Sequence, residues 1–228
     1  MDDTTLESTL RDGRARALLA ASEGLDSKER VALLKRAIRA IAFGTWPADC
    51  LDEMTTLGDE AIRVALESGD DAEANVLSFN LAANLCDCWG DAYTRETRHF
   101  EKGLAYAERA LELRARLGSP PDKVAMAHWA RGKHLLSLGR PSEATDALTA
   151  YRACLTKAAD PDPTAALAAD AYLAIARESA GEAAAAADYA RAMEALGALE
   201  RSEPARADDV KVYVDQLRAT RVALGLRA

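Results

Sequence analysis

Apolar residues recur along this chain with the spacing of helices. Val31, Leu34, Ile38 and Ile41 fall at i, i+3, i+7 and i+10, and Leu104, Ala107, Leu111 and Leu117 follow similar logic. No stretch alternates apolar and polar residues as a half-buried strand does. Breakers cut the pattern into segments. Gly24-Leu25-Asp26 leads into a capping box formed by Asp26 and Glu29. Residues 44–47 read as a stop followed by Pro47 in a first helical turn, with Trp46 filling a gap between hairpins. Turn signals recur at 68–71, 118–121, 139–141 and 160–163, and Pro204 precedes a last helix over 205–226. The expected fold is all-α, with about ten helices.

Small residues and prolines also repeat at a longer interval. Gly90, Gly132 and Ala174 are spaced 42 residues apart. The same step separates Gly139 from Gly181, Ala144 from Ala186, and Pro121 from Pro163. Each pair is expected at matching places in successive helical hairpins. Small residues at those places let two helices approach closely, and stacked hairpins bury one another's faces.

One unit reads Gly132, Gly139, Ala144, Leu148, and the next reads Leu173-Ala174, Gly181, Ala186. A preceding unit reads Trp89-Gly90-x-x-Tyr93, then Gly103, then Ala110-Leu111-x-Leu113. This pattern resembles the tetratricopeptide repeat (TPR) family. The 42-residue period, with proline between units, is closest to its kinesin-light-chain style. The resemblance implies an α-solenoid of antiparallel helical hairpins, a TPR-like superhelix forming one domain over 1–228. Clear repeats cover 83–197, further hairpins occupy 1–70, and the helix at 205–226 caps the array.

In TPR solenoids the first helix of each hairpin lines a concave groove. Carried over, this places Asn80, Asn84, Asp87, Asp91 and Arg95 in one polar stripe on a single helix. Met126, Trp129 and Lys133 take the corresponding face of the next first helix. The set that grips a partner's C-terminal carboxylate in one TPR subclass is missing, since Asp87 and Asp91 stand where bases belong. The resemblance therefore implies a scaffold for another protein or peptide, of basic or amphipathic character to suit the acids. The alternatives are a small-ligand or peptide sensor, and a self-associating module in which Val210, Val214, Leu217 and Val222 form a homodimer seam.

Composition narrows the chemistry. The 228 residues carry a net charge of −8, which argues against a nucleic-acid partner. The charge is uneven: residues 49–91 hold eleven acids and one base, and residues 92–157 hold twelve bases and seven acids. Such blocks suggest electrostatic polarity. His128 and His134 are six residues apart, on different faces of one helix, and do not make a metal pair. Cys86 and Cys88, on a helix, diverge by roughly 200° and make a poor zinc half-site. No phosphate-binding glycine loop or catalytic constellation emerges, so neither an enzyme, a metal nor a cofactor is expected. Cys50, Cys86, Cys88 and Cys154 read as free thiols, and no window is apolar enough to span a membrane. A cytoplasmic protein with no membrane contact is expected.

Overall fold

Among the described residues every regular element is a helix, as the periodicity predicts. The computed structural model describes residues 2–44 and 50–226, and no strand occurs among them. Ten α-helices follow in order: α1 (Asp3–Ser22), α2 (Ser27–Phe43), α3 (Cys50–Glu67), α4 (Asp71–Asn84), α5 (Thr97–Arg116), α6 (Pro121–Ser137), α7 (Pro141–Leu155), α8 (Pro163–Ser179), α9 (Ala185–Ser202) and α10 (Ala207–Ala223). A single 3₁₀ turn, Pro204–Arg206, precedes α10. The residues expected to fill the stop between α2 and α3, Trp46 and Pro47 among them, lie outside the described residues.

Local chemistry sets the helix ends. Asp26, Asp70 and Asp162 accept the backbone N–H of Glu29, Glu73 and Thr164 at 2.9, 3.0 and 3.0 Å, filling donors that a helix start leaves open. Pro121, Pro141 and Pro163 each take a first helical position, where a missing N–H costs nothing. Gly139 and Gly181 close α6 and α8 at φ of +68° and +89°, a conformation that a side chain disfavours.

The chain forms two compact units. The first holds residues 1–85 and 92–117, the second residues 86–91 and 118–228. In the first, α2 packs on α3, α3 on α4 and α4 on α5, with α1 against α2 and α3. In the second, α6 packs on α7, α7 on α8 and α8 on α9, and α10 lies on α8 and α9. Within each unit, then, helices pack on their sequence neighbours, the organisation of a helical-repeat solenoid. Glycine allows the closest of these approaches. A Cβ on Gly132 of α6 would fall 2.6 Å from Leu148 Cγ of α7, and one on Gly58 of α3 would fall 2.5 Å from Leu81 Cδ1 of α4.

The repeat register departs from expectation around residue 90. Helix α4 stops at Asn84, and 85–96 is irregular. The Arg95 guanidinium donates to the carbonyls of Asn84 and Leu85 at 3.0 and 3.1 Å, satisfying the end of α4. A capping box of Glu96 and His99 then starts α5. Gly90 is therefore a turn residue at φ +66°, not a helix-packing residue, while Gly103 is buried inside α5, not in a turn. Further on, Ala186 is exposed and its neighbour Ala185 is buried. The connection 180–184 is longer than 138–140, which shifts the register of α9. In α10, Val210 and Leu217 face the core of their own unit, Val214 is half-buried and Val222 is 72 % exposed, so the four do not form one seam.

The acidic and basic blocks are partners inside the first unit. Arg98 of α5 pairs with Asp52 of α3 at 2.8 Å, Lys102 with Asp59 at 2.6 Å, and Arg116 with Asp71 of α4 at 3.3 Å. Arg114 adds a hydrogen bond to the Asn75 side-chain oxygen at 3.1 Å and stacks over Phe79. His99 Nδ1 accepts the Glu96 N–H, so its Nε2 carries the proton and donates to Asp52 at 3.0 Å. The Arg98 hydrogen bond, helped by His99, lowers the Asp52 carboxyl to about 2. Much of the apparent polarity is thus neutralised between α5 and the α3–α4 pair.

Candidate functional site

The residues expected to line a groove are distributed between the two units. Asn80 is exposed on α4, as a groove residue should be. Asn84 is the last residue of α4, its carbonyl committed to Arg95. Asp87, Asp91 and Arg95 lie in the irregular segment, so the expected single-helix stripe does not exist. Met126 is half-buried on α6.

Trp129 and Lys133 are core residues of the second unit. Trp129 is 3 % exposed and sits edge-on to Trp89 and Tyr172, with ring centroids 6.2 and 6.3 Å away. Lys133 is 1 % exposed. Its Nζ lies 3.0 Å from Asp87 Oδ1 and donates to Thr220 Oγ1 at 2.7 Å. Ser137 Oγ donates to Asp87 Oδ2 at 3.0 Å. Burial pushes the Asp87 carboxyl up, but Lys133 and Ser137 outweigh it and hold it below its ordinary range. Thr220 Oγ1 in turn donates to the Gln216 carbonyl, and the Gln216 side chain accepts from the Tyr172 hydroxyl at 3.2 Å. The structure thus brings together Asp87, Trp129 and Lys133, as a buried network that joins residues 86–91, α6, α8 and α10. They do not offer an acidic groove.

Cys86 Sγ lies 3.7 Å from His134 Nε2, a thiol–imidazole pair of the kind that can create a nucleophile. Both groups are fully buried, and burial raises the Cys86 thiol well above its ordinary value, which favours the unreactive protonated form. Cys86 and Cys88 lie in the irregular segment rather than on a helix. Among the described residues, no group of three or more His, Cys, Asp and Glu side chains is arranged to hold a metal ion, and no helix is long and apolar enough to cross a membrane.

The first unit holds an open cleft of about 390 Å³ beside α2. Val31 and Ala32 of α2 and Ala65 of α3 supply its apolar lining, and Lys28, Lys35, Asp70 and Glu73 ring it with charge. Lys35 Nζ reaches Glu73 Oε1 at 2.7 Å, linking α2 to the first turn of α4. Because Asp70 caps α4 and Glu73 occupies its first turn, the same turn chemistry that starts the helix fixes the acidic rim. Such a recess can hold an apolar side chain while its edge hydrogen-bonds the flanking backbone or charges. Val31 belongs to the apolar stripe of α2 and also lines this recess, and periodicity alone does not show where a stripe residue borders an opening. Lys28 and Lys35 are the bases of α2 that line it.

No family model matches the chain, and no curated protein matches it.

Proposed function

We propose that this chain is a protein- or peptide-binding helical-repeat scaffold of TPR-like type, acting by recognition rather than catalysis. The observation that carries the reading is the cleft beside α2, an open apolar recess with a charged rim on a stack of helical hairpins. A cytoplasmic setting fits its free, largely buried cysteines.

The test is selection of a random twelve-residue peptide library on the purified full chain, repeated on Ala32→Trp. Ala32 is exposed and lines the cleft, so a tryptophan there fills the recess without disturbing the core. Binding clones that lose most of their affinity for Ala32→Trp support the reading. Failure to enrich any clone, or clones indifferent to the substitution, overturns it.

A further inference from the structure

Helix α1 is broken near its middle. Arg14 lies at φ +53° and ψ −161°, a combination nearly confined to glycine. Among the described residues it is the one non-glycine residue at positive φ. The break divides α1 into two short helices. Leu6 and Leu10 are buried in the first, Ala15 and Leu18 in the second, and α1 packs on α2 and α3.

Glu53 of α3 sits at the break. Its Oε2 accepts the Ala15 N–H at 2.6 Å, the role a capping side chain plays at a helix start, and its Oε1 lies 3.5 Å from Arg14 Nη1. In an unbroken helix the Ala15 N–H would bond to the Arg11 carbonyl, and Arg14 would take helical dihedrals. The broken form therefore carries a backbone penalty at Arg14, offset by the Glu53 carboxylate and by the seating of Leu6 and Leu10. That seat is not sealed. An opening of about 480 Å³ lies along it, lined in part by Leu6 and Glu7 of α1 and by Ala40 and Phe43 of α2.

We infer that two copies of this chain exchange the first half of α1. In the exchanged pair α1 runs unbroken, and residues 4–13 of each copy lie on α2 and α3 of the other. Leu6 and Leu10 are then buried as they are in the single chain. The same seat is filled in both forms, whereas the penalty at Arg14 exists only in the single chain, which is how a strained hinge favours exchange. Two effects oppose it: the loss of the Glu53 cap on Ala15, and the freedom lost when two chains associate. The pair is therefore favoured by high concentration, and Glu53 sets the balance.

Light scattering on a size-exclusion column, over a concentration series of the full chain, tests this. Glu53→Ala removes an acceptor that only the broken form uses, and it should tighten the dimer roughly tenfold or more. Glu53→Gln keeps the shape of the side chain and should shift the balance the same way, by less. Arg14→Gly removes the penalty from the broken form, and in the Glu53→Ala background it should return the dimer to about the wild-type level or below. Opposite shifts from two neighbouring changes are not produced by a general loss of fold, which circular dichroism checks. Within the dimer, the amides of 6–13 should exchange with deuterium as slowly as in the single chain, because the segment is seated on the other copy. A Glu53→Ala chain that dimerises no more tightly than wild type, or a dimer indifferent to Arg14→Gly, overturns the inference. Rapid exchange at 6–13 in the dimer overturns it as well, since the segment would then have left its own seat without filling another.

Discussion

Replacing Asp87 by alanine strands the ammonium of Lys133 inside the second unit. The two charges lie 3.0 Å apart, with side chains 17 % and 1 % exposed. At an effective dielectric of about 20 their attraction is about 5 kcal/mol, much of it offset by the cost of removing both ions from water. Deleting one partner exposes that cost, and we expect Asp87→Ala to destabilise the unit by about 3–5 kcal/mol. Lys133→Met should cost less, about 1.5–3 kcal/mol, because Asp87 keeps the Ser137 hydroxyl and some access to water. The double variant should recover much of the loss, since methionine fills the lysine's volume and no charge is left buried. Urea unfolding followed by tryptophan emission in a Trp46→Phe background reads this unit, because Trp89 and Trp129 both belong to it. A cost below about 1 kcal/mol for Asp87→Ala, or a double variant equal to the sum of the singles, would refute the reasoning.

Acid should weaken the first unit through Asp52. Its folded carboxyl titrates near 2, below its unfolded value, so its stabilisation is present above about pH 4 and is lost as pH falls toward 2. The urea midpoint should drop across that window, and less steeply in Asp52→Asn. Gly132→Val drives a side chain into Leu148, and a loss of about 1–3 kcal/mol is expected, relieved in part by Leu148→Ala, as measured by chemical unfolding. Among the four thiols, Cys154 is the half-buried one, so iodoacetamide followed by peptide mass mapping should label it well before Cys50, Cys86 and Cys88.

Fold and site were legible to different degrees because they rest on different physics. The stripe of Val31, Leu34, Ile38 and Ile41, the Asp26 cap and the prolines at 121, 141 and 163 are local signals, and each corresponds to what the structure contains. The segment 85–96 contains no strong breaker before Gly90. Its departure from helix involves a side chain ten residues downstream, Arg95, reaching back to Leu85. Periodicity cannot register such a contact, and the polar stripe drawn through Asp87, Asp91 and Arg95 failed with it. Lys133 was misplaced for a related reason. A lysine on a helix is normally solvent-facing, and only a carboxylate from residue 87 and a hydroxyl from residue 220 make its burial tolerable.

Thr220 meets Lys133 across 87 residues of sequence. A ribosome adding about 5–20 residues per second needs several seconds to bridge that interval. During that time α6 has been made, while the helix that supplies Thr220 has not. Residues 86–91 wait as well, because the helices they join are made after 92–117 has returned to the first unit. The first unit can complete its helices early, whereas the second must hold a lysine at its centre without its full set of partners until the last turns of α10 emerge. A nascent chain stalled before residue 220 therefore lacks the hydroxyl that meets the Lys133 ammonium in the finished protein.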